Sequence, residues 1–209
     1  MSQTSSSRRA RWDERYAGKD LVWSAGPNER FAEEVGGLEL GRALDVACGE
    51  GRNALWLAEQ GWDVTAIDFS QVAIDKARRI ATRRKLTIDW LCEDISAYAV
   101  TESEYDLVSL LYMHTDPRER RKWLANVLSA VKPGGTFLYI GHDPSNIASG
   151  VGGPQDPRYL PDADELARDM DGFEIEFAGV IERSVSSDPG HAKETKGEAL
   201  DTLVRAVRN

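Results

Sequence analysis

The sequence predicts a single α/β domain with a seven-stranded, mostly parallel sheet, an antiparallel C-terminal hairpin and helices on both faces. Between residues 42 and 141, apolar strand-like segments alternate with helical segments, which is typical of a parallel sheet with right-handed crossovers. Beyond residue 170, two strand-like segments follow each other without a helix between them, and this order predicts a hairpin. The chain has 209 residues, of which 41% are hydrophobic, so one full core is expected.

Start and stop signals delimit the elements of the parallel part. Gly61 ends one helical pattern, Ser70 is a natural N-cap for the next, and Asp116 caps a third that has Pro117 at its first position. The predicted strands cover residues 42–47, 63–68, 87–92, 105–111 and 136–141, and the predicted helices cover 27–35, 52–60, 71–84 and 117–131.

The segments outside this alternation are less regular. A Gly/Pro/Asn-rich loop is expected from Asp143 to Pro161, and a loop of this length is typically functional, so we expect it to influence substrate choice. A short helix near 162–169 precedes the hairpin segments FEIEFAGVIERSV and ALDTLVRAVR. Residues 1–9 are polar and are predicted to be a disordered tail, which leaves 10–209 as the domain.

Composition excludes several classes of partner. The net charge is −9, so a nucleic-acid backbone would be repelled, and the basic run from Lys76 to Lys85 is interpreted as the solvated face of a helix. No segment is long and apolar enough to suggest a membrane partner. Cys48 and Cys92 lack metal-type spacing and are interpreted as reduced thiols, which favours a cytoplasmic location. The expected oligomeric state is a monomer or homodimer.

The segment ALDVACGEGRNA, residues 43–54, carries the main functional signal. An apolar strand ends there in a glycine turn, and a helix begins at once. The N-terminus of a helix offers unpaired backbone N–H groups, and glycine lets a ligand approach that backbone closely. The turn around Gly49 and Gly51 is therefore predicted to bind a nucleotide-like ligand.

Two ligand classes compete for this turn. Gly49-x-Gly51-x-x-Ala54 also satisfies the dinucleotide fingerprint, so an NAD-type oxidoreductase is an alternative. Asp45 lies four residues before the first glycine, where a carboxylate would repel a pyrophosphate and attract an ammonium group. This favours S-adenosylmethionine, although Asp45 could also brace the turn, and we expect both roles.

At this level of detail the chain resembles the class I S-adenosylmethionine-dependent methyltransferases. It is similar to their small-molecule branch, which contains the thiopurine and tellurite-resistance methyltransferases. The matching segments are WDERY (12–16), VWSAGPN (22–28), residues 43–70, CEDI (92–95), YDLVSLLYMH (105–114) and VKPGG (131–135). The resemblance implies a Rossmann-like fold over 10–209, S-adenosyl-L-methionine as cofactor, and a small-molecule acceptor of the thiol, heterocycle or chalcogen oxyanion class. A non-catalytic module that only binds the cofactor remains a further alternative.

Cofactor-binding candidates follow the ends of successive strands. Asp68 ends the second strand 19 residues after Gly49, where a carboxylate can accept both ribose hydroxyls, or where it simply favours a helix N-terminus. Phe69 is expected to pack on the adenine or in the core. By resemblance, the Asp94 carboxylate accepts the adenine amino group and the Ile95 backbone N–H meets a ring nitrogen, the alternative for Asp94 being an ordinary turn aspartate.

Four further residues complete the expected cofactor site. Ala47 belongs to the same turn, Tyr112 is expected to flank the methionine part, and Arg52 could pair with the cofactor carboxylate or lie on the surface. By resemblance, the N-terminal segment covers the cofactor as a lid, with Trp23 near the sulfonium, because an aromatic face attracts a cation. Trp12 could equally serve only to anchor this segment.

The acceptor side is assigned to polar residues after the fourth and fifth strands. His114 and His142 are the catalytic candidates, and Asp143 is a third candidate at the same edge. Each residue alone could be structural, but their positions at neighbouring strand ends favour a shared site. A general base is needed only if the acceptor carries a proton to lose, which thiolates and chalcogen anions do not. His191 is expected in a polar, exposed loop.

Overall fold

The computed structural model describes residues 3–23, 25–185 and 197–209. The strands are β1 (Arg42–Val46), β2 (Asp63–Asp68), β3 (Asp89–Cys92), β4 (Tyr105–Leu111), β5 (Val131–His142), β6 (Phe173–Ser184) and β7 (Glu198–Arg208). The helices are α1 (Gln3–Tyr16), α2 (Glu29–Val35), α3 (Arg52–Gln60), α4 (Gln71–Arg84), α5 (Pro117–Ser129), α6 (Asn146–Ser149) and α7 (Ala163–Arg168).

All seven strands form one sheet in the order β3-β2-β1-β4-β5-β7-β6. Strands β1 to β5 are parallel, and β7 lies antiparallel between β5 and β6. The predicted fold class is therefore confirmed, including the antiparallel hairpin. The strand order reverses between β1 and β4, and open α/β sheets bind ligands at such a switch point, beyond the carboxyl ends of the strands.

The helices begin where the sequence places their caps. The Ser70 hydroxyl accepts a hydrogen bond from the Ala73 N–H, 3.2 Å away, and the Asp116 carboxylate accepts from the first turn of α5. Gly61 ends α3 with a φ of 100°, a left-handed conformation that costs glycine little. These local signals explain why the observed helices follow the predicted ones closely.

Two apolar layers cover the sheet. One face packs against α5 and α7 and includes Trp123, Phe137 and Tyr139, all fully buried. The other face packs against α2, α3 and α4 and includes Phe31 and Leu57. Both faces of the central strands are therefore dry, and their open carboxyl ends are where a ligand can reach the sheet.

Several boundaries differ from the sequence expectation. Strand β5 begins at Val131 instead of residue 136, because Val131 pairs with Tyr105 on β4. Helix α5 therefore ends at Ser129 instead of residue 131. The expected loop from 143 to 161 contains α6 and a short 3-10 turn at Pro157–Tyr159. His191 lies outside the described residues. Within the described ranges, no helix has the length and apolar character needed to cross a membrane.

The N-terminal residues also differ from the expected disordered tail, since α1 starts at Gln3. Two polar contacts explain why the helix is held against the domain. The Arg8 guanidinium lies 2.6 Å from the Glu119 carboxylate on α5, and the Ser70 hydroxyl donates to Asp13 over 2.5 Å. Helix α1 therefore bridges α4 and α5 across the carboxyl edge of the sheet.

Candidate active site

A cavity of about 460 Å³ opens at the carboxyl ends of the strands, beneath α1. Its walls include ten of the predicted site residues: Trp23, Asp45, Ala47, Gly49, Arg52, Asp68, Phe69, Tyr112, His114 and His142. The switch point thus brings residues from β1, β2, β4 and β5 to one concave surface. Such a mostly preformed pocket with a few polar groups is typical of small-molecule sites.

The backbone around the cavity is bent in unusual ways. Gly49 and Gly51 have φ values of 55° and 78°, in the left-handed region. Two residues with side chains, Ala47 and Tyr112, adopt φ values of 55° and 54° at the ends of β1 and β4. Left-handed backbone costs a non-glycine residue about 1–2 kcal/mol, and such strain concentrates at functional sites.

The two glycines of the turn serve different purposes. A Cβ on Gly49 would lie 2.9 Å from the Tyr16 hydroxyl at the cavity wall. A Cβ on Gly51 would lie 2.5 Å from the Trp90 ring, on the side of α4. Gly51 therefore lets the start of α3 pack closely against its neighbours, and it is not among the residues that wall the cavity.

Gly51→Ala should destabilise the protein more than Gly134→Ala does. Both positions have a φ of 78°, but a Cβ on Gly134 meets no atom within 4 Å. The left-handed backbone should cost each variant about 1–2 kcal/mol, and overpacking against Trp90 should cost Gly51→Ala roughly 1–3 kcal/mol more. Denaturant unfolding of the two variants measures this difference, and equal losses would contradict the packing role of Gly51.

Asp45 places a buried carboxylate at the wall of the cavity. Its side chain is 1% exposed, and Oδ1 accepts a hydrogen bond from the Ser109 hydroxyl over 3.1 Å. Oδ2 makes no hydrogen bond of regular geometry in the described part of the chain. Burial raises the pKa of Asp45 to about 7, although hydrogen bonds from the Ser109 hydroxyl and the Ala54 backbone N–H and the charge of Arg52 oppose this rise. A buried carboxylate of this kind suits a ligand that brings its own cationic or N–H donor.

Asp68 ties the second strand to the glycine turn. Its Oδ2 accepts the Gly49 N–H over 2.9 Å, and its Oδ1 accepts the Ser70 N–H over 2.8 Å. Burial raises the pKa of Asp68, while these two backbone hydrogen bonds act to lower it. The sequence position of Asp68 predicts only a ligand role or a helix-terminus role, whereas the structure shows that Asp68 also holds the turn in shape.

Asp94 and Ile95 are placed differently from the expected adenine contacts. The Asp94 Oδ1 accepts the Ser96 N–H over 3.0 Å, which is the ordinary turn arrangement, and Ile95 is 5% exposed within the core. Among the described residues, neither belongs to the cavity wall. The structure therefore does not bring these two residues together with the other predicted site residues.

Aromatic residues from the N-terminal segment form the roof of the cavity. Trp12 stacks on Tyr16 with ring centroids 5.5 Å apart, and the Arg15 guanidinium lies 5.1 Å from the Trp12 ring and 5.0 Å from the Trp23 ring. The Trp23 Nε1 donates to the Tyr16 hydroxyl over 3.5 Å. The sequence analysis had not assigned a role to Tyr16 or Arg15, although the i,i+4 spacing of Trp12 and Tyr16 is a usable signal.

The two candidate histidines are stacked at the other end of the cavity. Their rings lie 5.5 Å apart and are nearly parallel, at 12°. Burial lowers the pKa of His114 to about 3, and the neighbouring His142 adds to this effect, so His114 is neutral at pH 7. The structure confirms only that these residues share a site; their catalytic role stays a prediction.

Asp143 does not join this pair. Its Oδ1 accepts the Ser145 N–H over 2.9 Å, and its Oδ2 accepts the Thr202 hydroxyl over 2.7 Å. These contacts fasten the loop after β5 to β7, and Asp143 is not among the described residues of the cavity wall. Asp143 therefore has a structural environment, and the sequence interpretation of it as an acceptor-side candidate is not supported.

The hairpin contributes two residues that the sequence analysis missed. Arg183 on β6 reaches the cavity wall, and Asp201 on β7 accepts hydrogen bonds from the Arg183 Nε and the Tyr112 hydroxyl, each over 2.7 Å. These residues carry no local motif, and only the pairing of β7 with β5 and β6 places them near His142. Burial raises the pKa of Tyr112, and the charge of Asp201 adds to it, so this phenol stays protonated.

Comparison with known proteins agrees with this geometry. Residues 43–135 match a family model described as a methyltransferase domain. The chain is 27% identical over 110 residues to the ubiquinone biosynthesis O-methyltransferase of Coxiella burnetii, covering 53% of this chain and 47% of the relative. It is 31% identical over 121 residues to the demethylmenaquinone methyltransferase of Renibacterium salmoninarum, covering 56% and 49%. The matches span about half the length of these curated relatives.

The fold itself matches a solved structure over almost the whole chain. TehB from Haemophilus influenzae superposes with a TM-score of 0.72 at 17% identity, covering 97% of this chain and 67% of TehB. The sheet order and the glycine turn define a Rossmann-like fold. Within it, residues 43–135 are similar to a methyltransferase domain, and the two curated methyltransferases each match about half of this chain.

Proposed function

We propose that this protein transfers a methyl group from S-adenosyl-L-methionine to a small-molecule acceptor. The observation that carries the proposal is the buried carboxylate of Asp45 in the wall of a cavity that begins at the glycine turn. An anionic oxygen there fits the amino group of a methionine tail and opposes a pyrophosphate, so the NAD-type alternative has no support in the site. The cofactor supplies a methyl group activated by a positively charged sulfur.

Different residues of the cavity wall are proposed to contact the methionine tail, the ribose, the adenine and the sulfonium of this cofactor. Asp45, Ala47 and Gly49 would hold the methionine tail, and Arg52 at the start of α3 would meet its carboxylate. Asp68 would accept the ribose hydroxyls, since an ionised carboxylate has acceptor capacity beyond the two backbone bonds it already makes. Phe69 would pack against the adenine. Trp23 and Tyr112 would lie near the sulfonium, where an aromatic face stabilises positive charge.

The chain's own contribution to the reaction is alignment and exclusion of water. Helix α1 covers the cavity, so an acceptor bound below it would be held in line with the methyl group, and proximity of this kind contributes on the order of 7–11 kcal/mol. His114 and His142 line the part of the cavity farthest along the sheet, and they are proposed to face the acceptor. The names of the curated relatives support a small organic acceptor, and the thiol, heterocycle and chalcogen oxyanion classes all remain within the proposal.

Two measurements test the proposed function. Calorimetric titration with S-adenosylhomocysteine and with NAD should show binding of the first and not of the second. Transfer of a radiolabelled methyl group to a panel of thiols, heterocyclic phenols and tellurite should label at least one acceptor. Binding of NAD without S-adenosylhomocysteine would refute the assignment, and cofactor binding without transfer to any acceptor would favour the non-catalytic module.

Asp68→Ala should weaken S-adenosylhomocysteine binding by about 1–3 kcal/mol, because it removes charged hydrogen bonds to the ribose and leaves the Gly49 N–H without its acceptor. Asp68→Asn retains an acceptor oxygen and should lose less. Calorimetry gives the affinities, and thermal melting of the same samples shows whether the glycine turn still folds. Unchanged affinity in Asp68→Ala would mean that the ribose lies elsewhere.

A further inference from the structure

A buried ionic cluster connects the C-terminal hairpin to the acceptor end of the cavity. Asp201 on β7 stands opposite His142 on β5 in the strand register, and its side chain is fully buried. Its Oδ2 accepts hydrogen bonds from the Tyr112 hydroxyl and from the Arg183 Nε, each over 2.7 Å. The Arg183 guanidinium also lies 5.4 Å from the centroid of the Tyr112 ring. Two donors that contact each other therefore share one oxygen of Asp201.

The other oxygen of Asp201 faces His142. Oδ1 lies 3.1 Å from the His142 Nδ1, within hydrogen-bond distance, although the orientation of the ring is not that of a regular hydrogen bond and neither buried atom has a hydrogen bond in the described part of the chain. Although burial acts to raise it, the pKa of Asp201 is lowered, because His142, Arg183 and Tyr112 all donate toward it. An ionised carboxylate accepts but cannot donate, so a hydrogen bond across this short distance would need the proton on Nδ1, and a small rotation of the ring would complete it.

His142 belongs to the cavity wall, and Nε2 is its ring nitrogen that does not lie against Asp201. A Cβ on Gly153 would lie 2.7 Å from the His142 Cδ2 and 3.0 Å from its Nε2, and both residues belong to the cavity wall. These nearly equal distances place Gly153, with a φ of 73°, over a face of the ring, where the loop after β5 approaches closely because this residue carries no side chain. His114 stacks on one face of the same ring, and this contact restricts its rotation.

We propose that Asp201 is a positioning residue that keeps the proton of neutral His142 on Nδ1, so that Nε2 accepts the proton of a methyl acceptor. The proposal rests on the proposed function and names the acceptor class: the reacting oxygen, nitrogen or sulfur carries a dissociable proton. A hydroxylated heterocycle, a phenol or a thiol meets this condition. A chalcogen oxyanion has no such proton on its reacting atom, so its methylation would not need proton transfer to His142.

The proton and electron balance of this step is simple. A lone pair of the acceptor atom forms the new bond to the methyl carbon, and the bond from that carbon to sulfur breaks with its electrons left on sulfur. The acceptor's proton moves to the His142 Nε2, and the imidazolium that forms is stabilised by the Asp201 carboxylate. A histidine oriented by a buried carboxylate is a recurrent solution for proton transfer, and replacing such a carboxylate by an amide favours the wrong tautomer.

The tautomer of His142 tests the proposal without any acceptor. The full chain, labelled with ¹⁵N-histidine, is studied by long-range ¹H–¹⁵N NMR with and without S-adenosylhomocysteine. The chain has three histidines, so the His142 signals are assigned by their loss in His142→Gln. In the unsubstituted protein, neutral His142 should show a protonated Nδ1 and an unprotonated Nε2. In Asp201→Asn, the amide can donate to Nδ1, and the proton should move to Nε2.

The outcomes separate the inference from the proposed function. A proton on Nε2 in the unsubstituted protein would overturn the positioning role of Asp201. This result does not depend on whether Asp201→Asn folds. A proton that stays on Nδ1 in a folded Asp201→Asn would overturn the positioning role as well. S-adenosylhomocysteine affinity is measured on the unsubstituted protein, because Asp201 holds the hydroxyl of Tyr112, which is assigned to the cofactor, and Asp201→Asn is therefore not a control for affinity. Loss of cofactor binding in the unsubstituted protein would refute the proposed function but leave the tautomer result standing.

Discussion

Asp45→Asn should weaken S-adenosylhomocysteine binding by roughly 10- to 100-fold, which corresponds to about 1.5–3 kcal/mol for a hydrogen bond to a charged group. Asn keeps the shape of the side chain and can still accept from the Ser109 hydroxyl, but it cannot attract the cationic amino group of the ligand. Calorimetric titration at fixed ionic strength measures the change. Asp63→Asn is the matched control, because Asp63 starts the neighbouring strand β2 with a largely exposed side chain.

The pH dependence of S-adenosylhomocysteine binding is a second test of the proposed contact between Asp45 and the amino group of the ligand. Burial raises its pKa to about 7, and only the carboxylate form attracts the amino group, so affinity should rise with pH up to about 7 and then level off. The effect of pH on folding stability through Asp45 has the opposite sign. A folded pKa above the unfolded value of 3.8 means that ionised Asp45 costs stability, so this contribution falls as pH rises from about 4 through 7. Asp45→Asn should lose both dependences, and an unchanged pH profile in that variant would assign the titration to another group.

His142→Gln and His142→Asn should each lower the rate of methyl transfer by about 10²- to 10⁴-fold for a proton-bearing acceptor, the range typical of a lost general base. Neither amide can take a proton at neutral pH, yet Asn places an N–H group near the position of Nδ1 and Gln places one near that of Nε2. The two variants therefore separate the structural contact to Asp201 from the proton transfer. Single-turnover transfer of a radiolabelled methyl group, with the acceptor identified by the panel, measures the rate.

The affinity for S-adenosylhomocysteine is the internal control for both histidine variants. His142 is assigned to the acceptor, so cofactor binding should remain within about twofold of the unsubstituted protein while transfer is lost. A large loss of cofactor affinity would instead place His142 against the cofactor. Transfer at an undiminished rate in both variants would show that the acceptor reacts without help from this histidine.

Local sequence patterns were sufficient for the parallel half of the fold and for the centre of the site. The alternation of strands and helices, the caps at Ser70 and Asp116, and the glycine turn at Gly49 all depend on residues within one or two turns of each other. The position of Asp45, four residues before the turn, fixes its place on β1, and the carboxyl end of a parallel strand faces the ligand edge. The structure places Asp45, Gly49 and Asp68 together at that edge, as the sequence predicted.

Other features of the site depended on contacts between distant parts of the chain. Asp94 follows the third strand as the resemblance requires, yet its carboxylate turns back to the Ser96 N–H, and nothing in the spacing distinguishes the two arrangements. Helix α1 had no apolar pattern strong enough to predict that it docks. It is held by Arg8 and Asp13, whose partners lie 111 and 57 residues away in sequence.

The sequence by itself therefore determined the class of fold, the glycine turn and the edge of the sheet where the cavity lies, because hydrophobic period and turn chemistry are local. Only the tertiary structure decided which residues lie together at the proposed acceptor end of the cavity. The register of β7 between β5 and β6 sets Asp201 opposite His142, and a shift of one residue would turn its side chain to the other face of the sheet. That register depends on packing across the whole sheet, which no short segment encodes.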